Sequence, residues 1–183
     1  MLWHDLLMAS IQTLTDEERR VAARWATDCA ERVLPLFQAD AASEQVVKDA
    51  LARTRAYSAG ESTAAAEISR RLGAGRVAKA ASTPAGAAAA RAVGQASAVA
   101  HMAAHALGAA GYAVKAVSLA HPEEPDAVQD EIDWQLSRLT ARERSVLRQL
   151  PPLGENSSGP LGPGLLSQGI VGATIRELQA RMA

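Results

Sequence analysis

Between Thr15 and Phe37 the apolar positions recur at the spacing of one helical face. Val21, Trp25, Cys29, Val33, Leu36 and Phe37 fall on a common arc with several alanines, and Arg20, Arg24, Thr27, Asp28 and Glu31 fall opposite. Thr15 and Glu18 have the spacing of a capping box, and the acids of that first turn suit the positive end of the helix dipole. Pro35 predicts a kink or an end, because a proline nitrogen donates no hydrogen bond. A second periodic run, 43–59, turns Val46, Val47, Ala50, Leu51 and Ala56 inward and stops at Gly60. Ser62 is placed to cap a further helix over TAAAEISRRL, loosened by Gly73 and Gly75, and a short helix is expected over 3–11.

The middle of the chain carries the pattern furthest. Thr83 followed by Pro84 is a helix start, and HPEEP from His121 is an end. One long helix or two stacked ones lie between, with Gly94 and Gly108 as the candidate breaks. If 94–119 is one straight helix, Val99, Ala103, Ala106, Ala110, Val114 and Val117 share one side. Gly94, Ser97, His101, His105, Gly108, Tyr112 and Lys115 share the other. After it, Val128, Ile132 and Leu136 space out an amphipathic helix with Trp134 and Leu139 alongside, its acids 130, 131 and 133 on the exposed face. Thr140 and Glu143 form a second capping box, and a last helix follows at 168–182. No run alternates apolar and polar residues between hairpin turns. The pattern predicts an all-α fold, a multi-helix bundle or orthogonal array with alanine-rich central helices. Its expected layout is a helical domain over 1–150, a proline-, glycine- and serine-rich linker over 151–167, and a helix over 168–183 docked on the same domain.

Composition sharpens this. Of 183 residues 48% are hydrophobic and only 3% aromatic, so the apolar content is mostly Ala, Leu and Val, which suits closely approaching helices. The formal net charge of −1 excludes the strongly basic field of many nucleic-acid proteins. The charge is uneven, however: from Arg70 to Lys115 there are basic residues and no Asp or Glu. A single cysteine, Cys29, excludes an internal disulfide framework and a cysteine-based zinc cluster, and fits a cytoplasmic location. MLWHDLLMASIQ lacks the basic region and cleavage site of a signal peptide, and no stretch has the roughly 20 strongly apolar residues of a membrane span.

Candidate chemistry concentrates at His101 and His105. Imidazoles four apart on a helix can reach one divalent metal, so a metal-binding enzyme or sensor is an alternative reading. The zincin motif needs Glu directly after the first His, and Met102 stands there. Histidines lining a packed seam or partner-binding groove are favoured, with Ser97, His101, His105, Tyr112 and Lys115 as the candidate face. No catalytic residue, cofactor or resident metal is assigned. There is no phosphate loop and no nucleophile elbow, Cys29 sits on the apolar arc, and the paired acids belong to helix starts and faces. LTARERSVLRQL has the look of the first helix of a helix-turn-helix, which makes DNA binding by the C-terminal third a further alternative. A proline- and glycine-rich loop stands where the recognition helix should follow.

Three stretches, DEERRVAARWATDCAERVLPLF, ALARTRAYSAGE and AVGQASAVAHMAAHALGAAGYAVKAV, together resemble a helical immunity-protein family of bacteria, associated with polymorphic toxin systems, over about residues 14–139. The resemblance implies a cytoplasmic, non-enzymatic domain that neutralises a cognate protein toxin by covering it. Homo-oligomerisation through the glycine- and alanine-rich faces is a second partner expectation, and neither membrane nor nucleic acid is expected as a partner. No functional residues come with the resemblance.

Overall fold

A computed structural model describes residues 10–183. The described residues form α-helices and short 3-10 turns and no strand, so the fold is all-α. The helix expected over 3–11 lies outside the described residues except for Ser10 and Ile11, which enter a turn. In order the helices are α1 (Asp16–Val33), α2 (Ala41–Ser58), α3 (Ala64–Ile68), α4 (Gly73–Val77), α5 (Pro84–Ala98), α6 (His105–Ala120), α7 (Ala127–Ser137), α8 (Ala141–Leu147) and α9 (Gly169–Met182).

The local start and stop signals act as their chemistry dictates. Thr15 and Thr140 each close a capping box with the glutamate three residues on, at α1 and α8. Pro35 converts the end of α1 into a 3-10 turn over Leu34–Leu36, and Gly60 ends the α2 region at a φ of +83°. Thr83 caps α5 and Pro84 begins it. One cap differs: Thr63 caps α3 through the Ala66 amide, while Ser62 donates its hydroxyl to Glu67. The glycines at 73 and 75 lie within a separate short helix, α4.

The alanine-rich run is two helices, broken over residues 99–104 and at neither Gly94 nor Gly108. The break is stabilised from far away in the chain. The Ala103 and Ala104 amides donate to the Thr13 and Gln12 carbonyls, so the turn before α1 satisfies donors at the start of α6. Gln12 itself is buried; its Nε2 donates to Ser158 O at 2.8 Å and its Oε1 accepts from the Leu161 amide at 2.9 Å. The same turn thereby ties down the segment 151–167, whose Leu153, Leu161 and Leu166 are buried. Gln179 of α9 holds the start of that segment through Pro151 O and the Leu153 amide.

α5 and α6 pack on one another and form the centre, with α1 against both. α2 and α4 cover α5, α7 and α9 cover α6, and α8 lies on α1. Small side chains permit this. Ala88, Ala89, Ala92 and Ala96 of α5 and Ala106, Ala109, Ala110 and Ala113 of α6 are fully buried. A Cβ on Gly111 would stand 2.9 Å from Val171 Cγ1, so α9 reaches α6 only because that position carries none. Two amphipathic assignments fail for one reason. Thr27, placed on the polar side of α1, is buried with its hydroxyl donating to Ala23 O, and Glu131, placed on the exposed face of α7, is 3% exposed and paired with Arg32. A wheel reads polarity and does not see the partner that makes burial tolerable.

Candidate functional site

The histidines do not share a helical face. His101 is exposed in the turn over residues 99–104, and His105 is the first residue of α6. His105 Nδ1 donates to Gln95 Oε1 of α5 at 2.8 Å, which leaves Nε2 as an acceptor. Gly108, one turn on, makes room for that amide: a Cβ there would run into Gln95. Burial, then the neighbouring His101 and Arg71, push the His105 pKa down to about 4, so the ring is neutral at pH 7. Burial and the Arg71 and Arg19 guanidinium groups lower that of His101 as well.

The rest of the predicted face divides. Ser97 is buried, and the Thr54 hydroxyl of α2 donates to its oxygen at 3.2 Å. Tyr112 is 8% exposed beside His105, and Lys115 Nζ stands 6.0 Å from the centre of its ring. Among the described residues no group of three or more His, Cys, Asp or Glu is arranged to hold a metal ion.

His105 and Tyr112 line a cleft of about 370 Å³ where α4 and the end of α3 meet α5 and α6. Its polar lining is Arg71, Arg76, Arg91 and Gln95, and it contains no acid. Leu72 and Leu165 border it at 52% and 80% exposure, two of the four exposed large apolar side chains among the described residues. Among the described residues no carboxylate forms an ion pair with Arg71, Arg76 or Arg91. Arg71 Nη1 donates to the Ile68 carbonyl at the end of α3, which fixes its stem at the cleft edge. Gly94 of α5 lets α4 approach: a Cβ there would lie 3.1 Å from the Gly75 amide nitrogen. Helical spacing does not single out the three arginines. Their signal was the acid-free stretch from Arg70 to Lys115.

Where α1 meets α2, α7 and α8 the charges pair with one another. Arg24 bridges Glu143 and Asp28, and Asp28 also meets Arg55 and Arg138, with Arg55 completing a pair to Glu31. Arg32 pairs with Glu131 at 2.7 Å and stacks over Trp134 at 4.2 Å. Cys29 lies buried beneath this network, and burial followed by the Glu131 and Asp28 charges pushes its thiol well up, into the unreactive protonated form.

Fold and site together define an alanine-cored α-helical bundle with one self-neutralised face and one cationic cleft. A family model described as "Imm-5 like putative immunity protein" matches residues 12–142, well over half of the chain. The chain belongs to that family. No curated protein and no solved structure matches it.

Proposed function

We propose that this protein is an immunity protein that binds a cognate protein toxin in the bacterial cytoplasm and neutralises it by covering its working surface, without turnover. The observation that carries the reading is membership of the immunity-protein family over residues 12–142. The binding face is the cleft side of the bundle, with His101, His105, Tyr112 and Lys115; Ser97 belongs to the interior and is removed from it. The charges of the α1 ion-pair face are already paired, so docking there breaks existing pairs, whereas the cleft presents charges that gain by pairing.

The test is co-expression with the toxin domains encoded beside this gene. Restored growth of the bacterial host and a stable one-to-one complex on size exclusion are expected. Failure to rescue growth against every neighbouring toxin, with no complex formed, overturns the reading. Elemental analysis of the purified chain beside His101→Ala/His105→Ala separates it from the metal-binding alternative: equal metal content in the two is expected.

A further inference from the structure

We infer that the cleft between α4, α5 and α6 docks an acidic, leucine-bearing segment of a protein partner, held by Arg71, Arg76 and Arg91. The inference rests on the reading that the partner is a protein, and adds which surface meets it and what chemistry that partner presents.

Charge complementarity comes first. Three arginines from three structural units, Arg71 of the α3–α4 turn, Arg76 of α4 and Arg91 of α5, line one concavity of about 370 Å³. Among the described residues none of them forms an ion pair, while arginines elsewhere, such as Arg24, Arg32, Arg55 and Arg181, each pair with one or more carboxylates. Three cations held together repel one another, and that repulsion is relieved when carboxylates enter. Arginine suits them, since its planar fork takes a carboxylate with two parallel hydrogen bonds.

The border of the cleft decides between a free anion and a protein. Leu72 and Leu165 stand exposed on its two sides, from α4's leading turn and from the 3-10 turn before α9. A small anion gains nothing from them. A segment alternating carboxylates with apolar side chains buries both leucines while its acids reach the arginines, the arrangement of apolar anchors and charged specificity seen at protein interfaces. Neutral His105 with Nε2 as an acceptor, and the largely buried Tyr112, add uncharged contacts inside. Nucleic acid would satisfy the arginines and leave the leucines unpaired.

The test uses the full chain and a fluorescein-labelled peptide of Glu, Asp and Leu, with a Gln, Asn and Leu peptide of equal length as the neutral probe. Fluorescence anisotropy should show saturable binding of the acidic peptide alone, weakening as salt rises. Arg76→Glu/Arg91→Glu should weaken it at least about tenfold, as like charges are brought together. Among the described residues neither side chain makes a hydrogen bond or an ion pair, so the substitutions remove no internal contact of that kind, and circular dichroism checks that the fold is kept. Leu72→Ala/Leu165→Ala should also weaken binding, and Lys48→Glu/Arg142→Glu, with the same change in charge on other faces, should not. Equal affinity for both peptides, no loss in the cleft variants, or competition by duplex DNA or inorganic phosphate more effective than by unlabelled acidic peptide overturns the inference. Toxin rescue separates the two proposals. Rescue that survives Arg76→Glu/Arg91→Glu sinks the cleft and spares the immunity reading; acidic-peptide binding without rescue of any toxin does the reverse.

Discussion

Replacing Arg32 by alanine should cost about 3 kcal/mol near pH 8 and about 1 kcal/mol near pH 4.5. The magnitude follows from the asymmetry of the pair. Glu131 is 3% exposed and Arg32 is 43% exposed, so deleting the arginine strands a buried carboxylate, whereas deleting the glutamate frees an arginine that water already reaches. Opposite charges about 4 Å apart attract by about 4 kcal/mol at an effective dielectric near 20, and the solvent around Arg32 cuts this to about 2. Lost stacking on Trp134 adds about 1 kcal/mol that does not depend on pH in this range. The sign with pH is fixed by Glu131. Burial raises its carboxyl above the ordinary value and Arg32 pulls it back. Without Arg32 the folded-state pKa climbs further, so the cost grows as pH rises through the folded value and vanishes where the group is protonated in both forms. Urea denaturation followed by circular dichroism, repeated across pH, measures it. Arg138→Ala, which loses a looser contact to Asp28 and a more distant stack on the same ring, should cost under about 1 kcal/mol. A penalty for Arg32→Ala that is equal at both pH values, or no larger than that for Arg138→Ala near pH 8, would refute the buried-charge argument.

Two further outcomes follow from the cleft and the central packing. Because the His105 pKa falls to about 4 in the fold, the unfolded chain binds the extra proton between about pH 6.5 and 4, so stability should drop by up to about 3 kcal/mol as pH falls through that window; His105→Gln should flatten that slope in the same denaturation series. Gly111→Ala pushes a methyl group against Val171 and should lower stability by about 1 kcal/mol despite better helix propensity, while Gly75→Ala, with open space around it, should raise stability by up to about 1 kcal/mol; thermal melts that rank the two the other way contradict the close α6–α9 approach.

What the chain discloses by itself is whatever is decided within a few residues. Thr15 with Glu18, Thr140 with Glu143, Thr83 before Pro84 and Gly60 each act through bonds or dihedrals local to one turn, and each marks an element end in the structure. The break over residues 99–104 was invisible for the converse reason. Its stabilising acceptors are the carbonyls of Gln12 and Thr13, about ninety residues earlier, and no helical periodicity encodes them. Once the run is cut there, Ser97 and His105 no longer share a wheel, and the predicted face loses its serine to the α2–α5 interface. Glu131 and Thr27 were misplaced because the partners that permit their burial, Arg32 and the Ala23 carbonyl, are seen only in the folded chain or in the helix's own backbone.

The cleft lies between these cases. That the stretch from Arg70 to Lys115 lacks acids is plain from the sequence, and it has a structural consequence: carboxylates that could neutralise its arginines must come from other elements. Many of the acids on other elements are engaged elsewhere. Asp28, Glu31, Glu131 and Glu143 hold α1 to α2, α7 and α8, Glu67 faces Arg53, and Asp133 and Glu177 share Arg181 of α9. A chain of net charge −1 therefore folds with three arginines and no acid around one cleft where α4 meets α5, although the whole is nearly neutral. Such a local field steers an acidic partner toward one side of the bundle over roughly a Debye length, about 8 Å at physiological salt. Salt should accordingly slow association with an acidic protein partner more than it speeds dissociation, and Arg76→Glu/Arg91→Glu should remove most of that salt dependence in stopped-flow binding. An association rate equally sensitive to salt in that variant would mean the steering charge lies on another face.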